Sequence, residues 1–372
     1  MDFSFGLKRE YASLNTIEIS RENLLFNFDF FKKETGLEIW PVLKSNAYGH
    51  GIKEVTKILE GRDFEYLVVD GYHEVLEIRK VSKRPILMIG MMRPENFKNI
   101  KWKNLAMMVQ DKETVKFLGE CGKKIKIHLK VNTGMNRQGI EIKDLKNMIY
   151  DLRKYKKLEV EGLMSHLAGV DDKKQLKKFE EALKIVEESG LKIKYAHLAA
   201  TNGVGKIKNP KINTVRLGIG LYGINILEKQ DKYFKKLEKL KPVLSFKSCF
   251  TTLRKIKKGE KVGYGGTWQA KKDTNIGVIP VGYNEGLDRR LSNKGFIKYK
   301  DAFYPIIGRI CMNLAMVDLG NIKAKLFDEV EIISNNRKDK NSIKNIAKQC
   351  ETISYDLLVE INSSTRRIIV ND

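Results

Sequence analysis

A chain of 372 residues, 42% hydrophobic and 31% charged, is long enough to bury a large core and exceeds one typical domain, so two domains are expected. It has neither an apolar run of membrane-spanning length nor a leader after Met1, and its four scattered cysteines (Cys121, Cys249, Cys311, Cys350) form no C-x-x-C pair. That excludes the usual membrane, secreted, disulfide and zinc classes; the net charge of +24 lies in scattered pairs such as Lys173-Lys174, Lys235-Lys236 and Lys271-Lys272, a solvated surface rather than a specific nucleic-acid stripe.

In chain order, short apolar runs alternate with amphipathic Lys/Glu-rich segments. The predicted strands of the first part are Ile39–Ser45, Tyr66–Gly71, Ile86–Gly90, Ala106–Asp111, Ile125–Asn132, Glu161–Leu167, Tyr195–Ala200 and Thr214–Gly223. Between them, apolar residues at three- and four-residue spacing predict helices over Ile52–Glu60, Lys112–Glu120, Ile142–Lys154 and Gln175–Glu188. Strand-then-helix units of this number imply an α/β protein with an N-terminal (β/α)8, TIM-like barrel. Chemistry in such barrels sits at the C-terminal ends of the strands.

Past Gly223 a charged segment, Leu227–Lys241, leads to Pro242, and short β-branched runs separated by turn residues follow. Strands are predicted over Val243–Thr252, Thr274–Val281, Gly295–Lys300, Phe303–Ile310, Ala315–Asp318, Glu329–Ile333 and Arg367–Val370, a mostly β C-terminal domain. The expected boundaries are residues 13–236 for the barrel and 237–372 for the β domain, with residues 1–12 open to joining the latter.

The densest signal is V-L-K-S-N-A-Y-G-H-G at Val42–Gly51, where a lysine closes an apolar strand and a tyrosine and glycines form the next turn. A lone lysine in so lysine-rich a chain reads as a surface cation. At a buried strand end it can instead be a desolvated amine able to form a Schiff base. This context resembles the cofactor-lysine motif of the alanine racemases. Further matches follow in the order of that family: H-L-K-V-N-T-G-M-N-R at His128–Arg137, E-G-L-M-S-H at Glu161–His166, V-R-L-G-I-G-L-Y-G at Val215–Gly223 and V-G-Y-G-G-T-W at Val262–Trp268. The resemblance spans roughly residues 15–370.

The resemblance implies pyridoxal 5'-phosphate as cofactor, carried by Lys44. Tyr48, Thr201 and the amides of Gly218 and Ile219 would hold its phosphate, Thr201 standing where the family has a serine. Arg137 would touch its phenolic oxygen and also serve the substrate, His166 would lie against the ring, and Arg216 would face the ring nitrogen. Without that match, His166 reads as a core histidine and Arg216 divides evenly between a structural ion pair and a site residue. Lys130 matches a lysine often carbamylated in the family.

Inverting a stereocentre requires proton removal on one face and delivery on the other. The resemblance gives these roles to Lys44 and Tyr264, although Tyr264 alone reads as an ordinary turn tyrosine. Tyr283 and Arg309 resemble residues that guard the substrate entrance, and Met312 one whose backbone N–H meets the substrate carboxylate. Besides Thr201, five positions depart from the family: Ala200 stands where an asparagine is common, Ser363 replaces a tyrosine that often touches the phosphate, Asn313 a usual aspartate, and Asn284 and Glu285 a frequent Ala-Asp pair. The implied protein is a cytoplasmic homodimer with shared sites that interconverts L- and D-alanine for peptidoglycan and needs no metal. Two rivals stand beside it: a racemase of the same fold acting on serine or other amino acids, and a non-catalytic carrier of the cofactor.

Overall fold

The computed structural model describes residues 12–169 and 171–371. The open assignment of residues 1–12 falls almost wholly outside the described residues. Two compact units emerge, one formed by Ser20–Val243 and the other by Leu244–Val370 with the described residues 12–19.

The first unit is an eight-stranded sheet of parallel pairs built from Glu38–Pro41, Leu67–Val69, Ile86–Met88, Leu105–Val109, Ile125–Lys130, Leu158–Met164, Tyr195–His197 and Thr214–Leu217. The first strand pairs with the last, and a parallel bridge between Val42 and Val68 ties it to the second, so the sheet closes. All eight predicted strand positions are occupied. Leu105–Val109 is buried at every residue, as a parallel strand covered on both faces requires. The helices Ile52–Leu59, Lys112–Glu120, Ile142–Leu152 and Asp172–Glu188 fall where the spacing predicts them. Each lays apolar residues against the sheet.

Most strands are shifted or shortened by one to three residues at an end, and three differences are larger or bear on the site. The first strand stops at Pro41, and Lys44 opens a short turn instead of closing the strand. Ser45, Asn46, Ala47 and Tyr48 take φ of 54, 53, 53 and 52°, a left-handed turn that side chains disfavour. The eighth strand stops at Leu217, where Gly218 turns the chain into the 3-10 segment Ile219–Tyr222. In the other unit, the run predicted over Val243–Thr252 divides into Leu244–Cys249 and Thr252–Ile256.

That unit is a nine-stranded sheet ordered Thr252–Ile256, Thr274–Ile279, Ala315–Gly320, Ala302–Ile307, Phe296–Tyr299, Glu329–Ile333, Leu244–Cys249, Thr16–Ser20 and Arg366–Val370. Antiparallel pairs join the first eight in that order. One core cluster gathers Val262, Ile276, Ile307 and Met316 beneath a small hairpin, Lys261–Val262 with Trp268–Gln269. Among the described residues no helix is long and apolar enough to cross a membrane.

Candidate active site

The barrel carries nine of the predicted residues, and all lie at or beyond the C-terminal half of a strand. Lys44 and Tyr48 follow the first strand, Lys130 ends the fifth, Arg137 lies in the loop after it, and His166 follows the sixth. Thr201 opens a 3-10 segment after the seventh, while Arg216, Gly218 and Ile219 belong to the eighth strand and its turn. Alternating strand and loop lengths thus bring residues from five strand ends to one mouth.

The left-handed turn that presents Lys44 is held from outside itself. One carboxylate oxygen of Glu74 accepts the Ser45 N–H at 2.5 Å, and the other accepts the amides of Asp70 and Gly71 at 2.8 and 3.2 Å. The Asn46 carboxamide accepts the Ile52 N–H at 2.8 Å, tying the turn to the helix that follows. These charge-assisted and local bonds offset the cost of left-handed backbone at non-glycine residues.

Electrostatically the mouth is dominated by cations. Burial depresses Lys130 to about 8, Arg216, Arg137 and Lys44 add to the effect, and Asp70 opposes them. Its Nζ donates to Gln138 Oε1 at 2.7 Å. Burial likewise takes His166 down to about 3, reinforced by Arg216, Arg137, Lys130 and Lys44, so the ring is neutral. The same five groups therefore act on one another in a space suited to an anionic ligand.

Arg216 is buried, and burial lowers its guanidinium to about 10. Its Nη1 donates to His197 Nδ1 at 2.6 Å and to the His197 carbonyl at 2.8 Å, and Nη2 donates to the Ser165 carbonyl at 2.6 Å. His197 and Ser165 had no role in the sequence reading, though both lie inside matched or strand segments. The only available signal was a polar residue in an otherwise apolar strand.

The turn after the eighth strand forms a cradle. A Cβ on Gly218 would sit 2.7 Å from the Tyr48 hydroxyl, so only glycine lets backbone and phenol come this close. Ile219 begins a 3-10 segment, leaving its amide outward-facing by helix geometry. Thr201 lies alongside, its Oγ1 accepting the Gly220 N–H at 3.0 Å. A hydroxyl, glycine backbone and a helix start are the donor set that a phosphate group takes.

In the β-rich unit, Tyr264 lies in a turn flanked by Gly263 and Gly265, both at φ 72°, and 71% of its surface is exposed. Arg309 Nη1 lies 3.5 Å from where a Cβ on Gly265 would project. Tyr283 N–H donates to the Cys311 carbonyl at 3.1 Å and Asn284 N–H to that of Met312 at 2.9 Å, which joins the Tyr283 and Met312 segments. The structure thus couples Tyr264 with Arg309 and Tyr283 with Met312 within this unit. Ser363 lies in an exposed turn, its carbonyl accepting from Arg367 at 3.2 Å.

Residues 19–226 match the model of the alanine racemase N-terminal domain and residues 243–369 that of its C-terminal domain. The chain belongs to the alanine racemase family. A family member from Borreliella burgdorferi, named alanine racemase, is 33% identical over 374 residues, covering 96% of this chain and 97% of its own. Another, alanine racemase 2 of Caldanaerobacter subterraneus subsp. tengcongensis, is 30% identical over 369 residues, with 95% and 94% covered. Among solved structures, alanine racemase from Clostridium difficile 630 superposes with a TM-score of 0.90 at 28% identity, covering 98% of this chain and 97% of that one. The Bartonella henselae family structure, with covalently bound pyridoxal phosphate, shares the fold at a TM-score of 0.83 and 23% identity, with 96% of this chain and all of that one covered.

Proposed function

We propose that this protein interconverts L- and D-alanine with pyridoxal 5'-phosphate held at the barrel mouth. The observation that carries the reading is the convergence of Lys44, Lys130, Arg137, His166 and Arg216 on one mouth beside the Gly218–Tyr48 cradle. The residues fit the cofactor: the cradle suits its phosphate, the lysine that opens the turn after the first strand its aldehyde, and the surrounding cations its net negative charge. When bound, the cofactor supplies an electron sink that makes the α-proton of an amino acid labile.

The chain's own groups supply the rest. Lys44, presented by the clamped turn, takes or returns the α-proton on one face through its Nζ. Tyr48, Thr201 and the amides of Gly218 and Ile219 bind and orient the phosphate. Arg216 can only donate hydrogen bonds, so it would keep a proton off any ring nitrogen it faced, temper the electron sink and so restrain side reactions. His166, neutral at every physiological pH, is an uncharged wall for the ring. Arg137 serves the phenolic oxygen and the substrate carboxylate.

Lys130, depressed to about 8, is partly unprotonated near neutrality, as reaction with carbon dioxide requires. Carbamylation there would put an anion among Arg216, Arg137 and Lys44 and orient Arg137. Tyr264 is the acid/base for the opposite face, with Met312 N–H on the substrate carboxylate and Tyr283 and Arg309 at the entrance. These four come from a second copy, making the enzyme a homodimer; the exposure of Tyr264, Tyr283 and Met312 within one chain supports this. Such a protein works in the cytoplasm and supplies D-alanine for peptidoglycan.

The test is exchange of the α-proton of L-alanine in deuterated water by the cofactor-loaded protein, followed by chiral analysis, with serine, lysine and arginine alongside. Alanine is expected to racemise fastest, and Lys44→Ala to abolish exchange. Faster turnover of another amino acid overturns the substrate. Cofactor binding without exchange on any of them overturns catalysis.

A further inference from the structure

Arg216 is one end of a buried polar chain that crosses the barrel interior. The His197 ring that accepts from Arg216 through Nδ1 meets His128 Nδ1 through its own Nε2 at 2.9 Å. His128 Nε2 in turn lies 3.6 Å from Glu161 Oε2. Lys126 Nζ donates to Glu161 Oε1 at 2.6 Å, and the Tyr66 hydroxyl donates to Oε2. Both imidazoles are fully buried, and Glu161 is only 6% exposed.

The proton positions follow from donor counting. A guanidinium has no acceptor atom, so His197 Nδ1 must offer its lone pair and the ring proton must sit on Nε2. That Nε2–H donates to His128 Nδ1, so His128 also carries its proton on Nε2, aimed at the Glu161 carboxylate. At 3.6 Å this last step is an N–H dipole attracted to a buried anion rather than a closed hydrogen bond. The chain is therefore polar in one direction, from cation through two neutral rings to carboxylate.

Two features of the backbone are shaped around these side chains. Ile127 pairs with Val160 but His128 pairs with Gly162, so Glu161 is the extra residue of a bulge, the device that re-aims a side chain within a ladder. A Cβ on Gly162 would lie 2.2 Å from His128 Nδ1, so glycine is required there for the ring to lie across the strand. The His128 ring is further packed by Tyr195, at 6.2 Å and 14°, and by Trp40, at 5.7 Å and 81°.

We propose that Glu161 and His128 are positioning residues for Arg216: acting through His197, they select the tautomer that fixes both Nη1 hydrogens inward and leaves one Nη2 hydrogen and Nε–H for a ligand. With the opposite tautomer, His197 would turn an N–H toward the guanidinium and the arginine would lose one of its three inward hydrogen bonds, keeping those to the His197 and Ser165 carbonyls. The functional consequence rests on the assignment of Arg216 to the cofactor ring. The tautomer chain itself does not.

The test uses the full-length protein labelled with 15N-histidine, whose five histidines give a readable set of ring nitrogens. His197 and His128 are expected as neutral rings protonated on Nε2. In Glu161→Gln the His197 nitrogen signals should move toward a mixture of tautomers. kcat for alanine should fall about tenfold, the worth of one weakened hydrogen bond to a charged group, with KM little changed. If that variant does not fold, His128→Phe removes the link while keeping an aromatic ring against Trp40, and it must change His197 in the same way. A native His197 protonated on Nδ1, or His197 signals and kcat unmoved in the variant, would overturn the proposal. Absence of alanine exchange in the native protein would overturn the proposed function instead and leave the nitrogen signals as described.

Discussion

The phosphate cradle gives the most direct perturbation, Gly218→Ala. The added methyl would lie 2.7 Å from Tyr48 Oη and 3.3 Å from Cζ, against 3.4–4 Å in ordinary van der Waals contact, so the phenol must retreat by roughly 0.7 Å or more. Retreat is resisted because Tyr48 is 8% exposed and packs against Tyr222 with ring centroids 5.2 Å apart. Displacing one donor from a phosphate costs about 1.5–3 kcal/mol, which is about ten- to a hundredfold in affinity. Titration of cofactor-free protein with pyridoxal 5'-phosphate, followed by absorbance, should show that loss, and Tyr48→Phe should show the hydroxyl's share without the steric effect. The unfolding midpoint of the cofactor-free variant separates cradle damage from fold damage. Unchanged affinity in a folded Gly218→Ala protein would refute the placement of the phosphate at this turn.

Mixing Lys44→Ala and Tyr264→Phe subunits should restore activity that neither has alone, reaching about a quarter of native at equal proportions if one site in each mixed dimer is intact; no recovery on reassociation would show that both residues come from one chain. His128 and His197 are fully buried and their burial lowers both pKa values, so each ring takes up a proton less readily in the fold than in the unfolded chain, where it protonates near 6.5. Stability is therefore fully present above about pH 6.5 and falls as pH drops from there toward each ring's lowered folded pKa, with a limiting slope of about 1.4 kcal/mol per pH unit for each ring, and urea unfolding of His128→Phe should show a shallower slope. Protein equilibrated with 13C-bicarbonate should give a carbamate resonance that is absent in Lys130→Ala; its absence in the native protein would leave Lys130 an amine.

The barrel was legible because parallel strands covered on both faces read as short apolar runs, as Leu105–Val109 does, and the helices between them keep their spacing. What escaped depends on partners far away in sequence. V-L-K-S looks like the end of a strand, yet it turns left-handed because Glu74, 29 residues later, accepts the Ser45 amide. Thr16–Ser20 was not predicted, since it becomes a strand only against Leu244–Cys249. Gly218 ended a run that hydrophobicity alone carried on to Gly223. Among the site residues, Lys44, His166 and Arg216 stood in recognisable contexts. His128, Glu161 and His197 lay within predicted strands and had no visible function until 69 residues of separation closed to 2.9 Å.

Asn313, Asn284 and Glu285, all of which differ from what the resemblance leads one to expect, form one hydrogen-bonded group. Asn313 Nδ2 donates to Glu285 Oε1 at 2.7 Å, Asn284 Nδ2 donates to the same oxygen at 2.9 Å, and Glu285 Oε2 accepts the Gly282 amide at 2.8 Å. An aspartate at 313 would face the Glu285 carboxylate directly, whereas the asparagine donates to it. Because Asn313 is exposed, the repulsion in Asn313→Asp is screened and amounts to about 0.5–1 kcal/mol, about two- to fivefold. It should appear as a raised KM for alanine, since this loop also carries Met312 and, through the Cys311 and Met312 carbonyls, positions Tyr283 and Asn284. Adding Glu285→Gln to Asn313→Asp should recover most of the loss, and the recovery should shrink as salt is raised. Additive effects of the two substitutions would mean that the residues are independent, and that the asparagine is read by the substrate rather than by its neighbour.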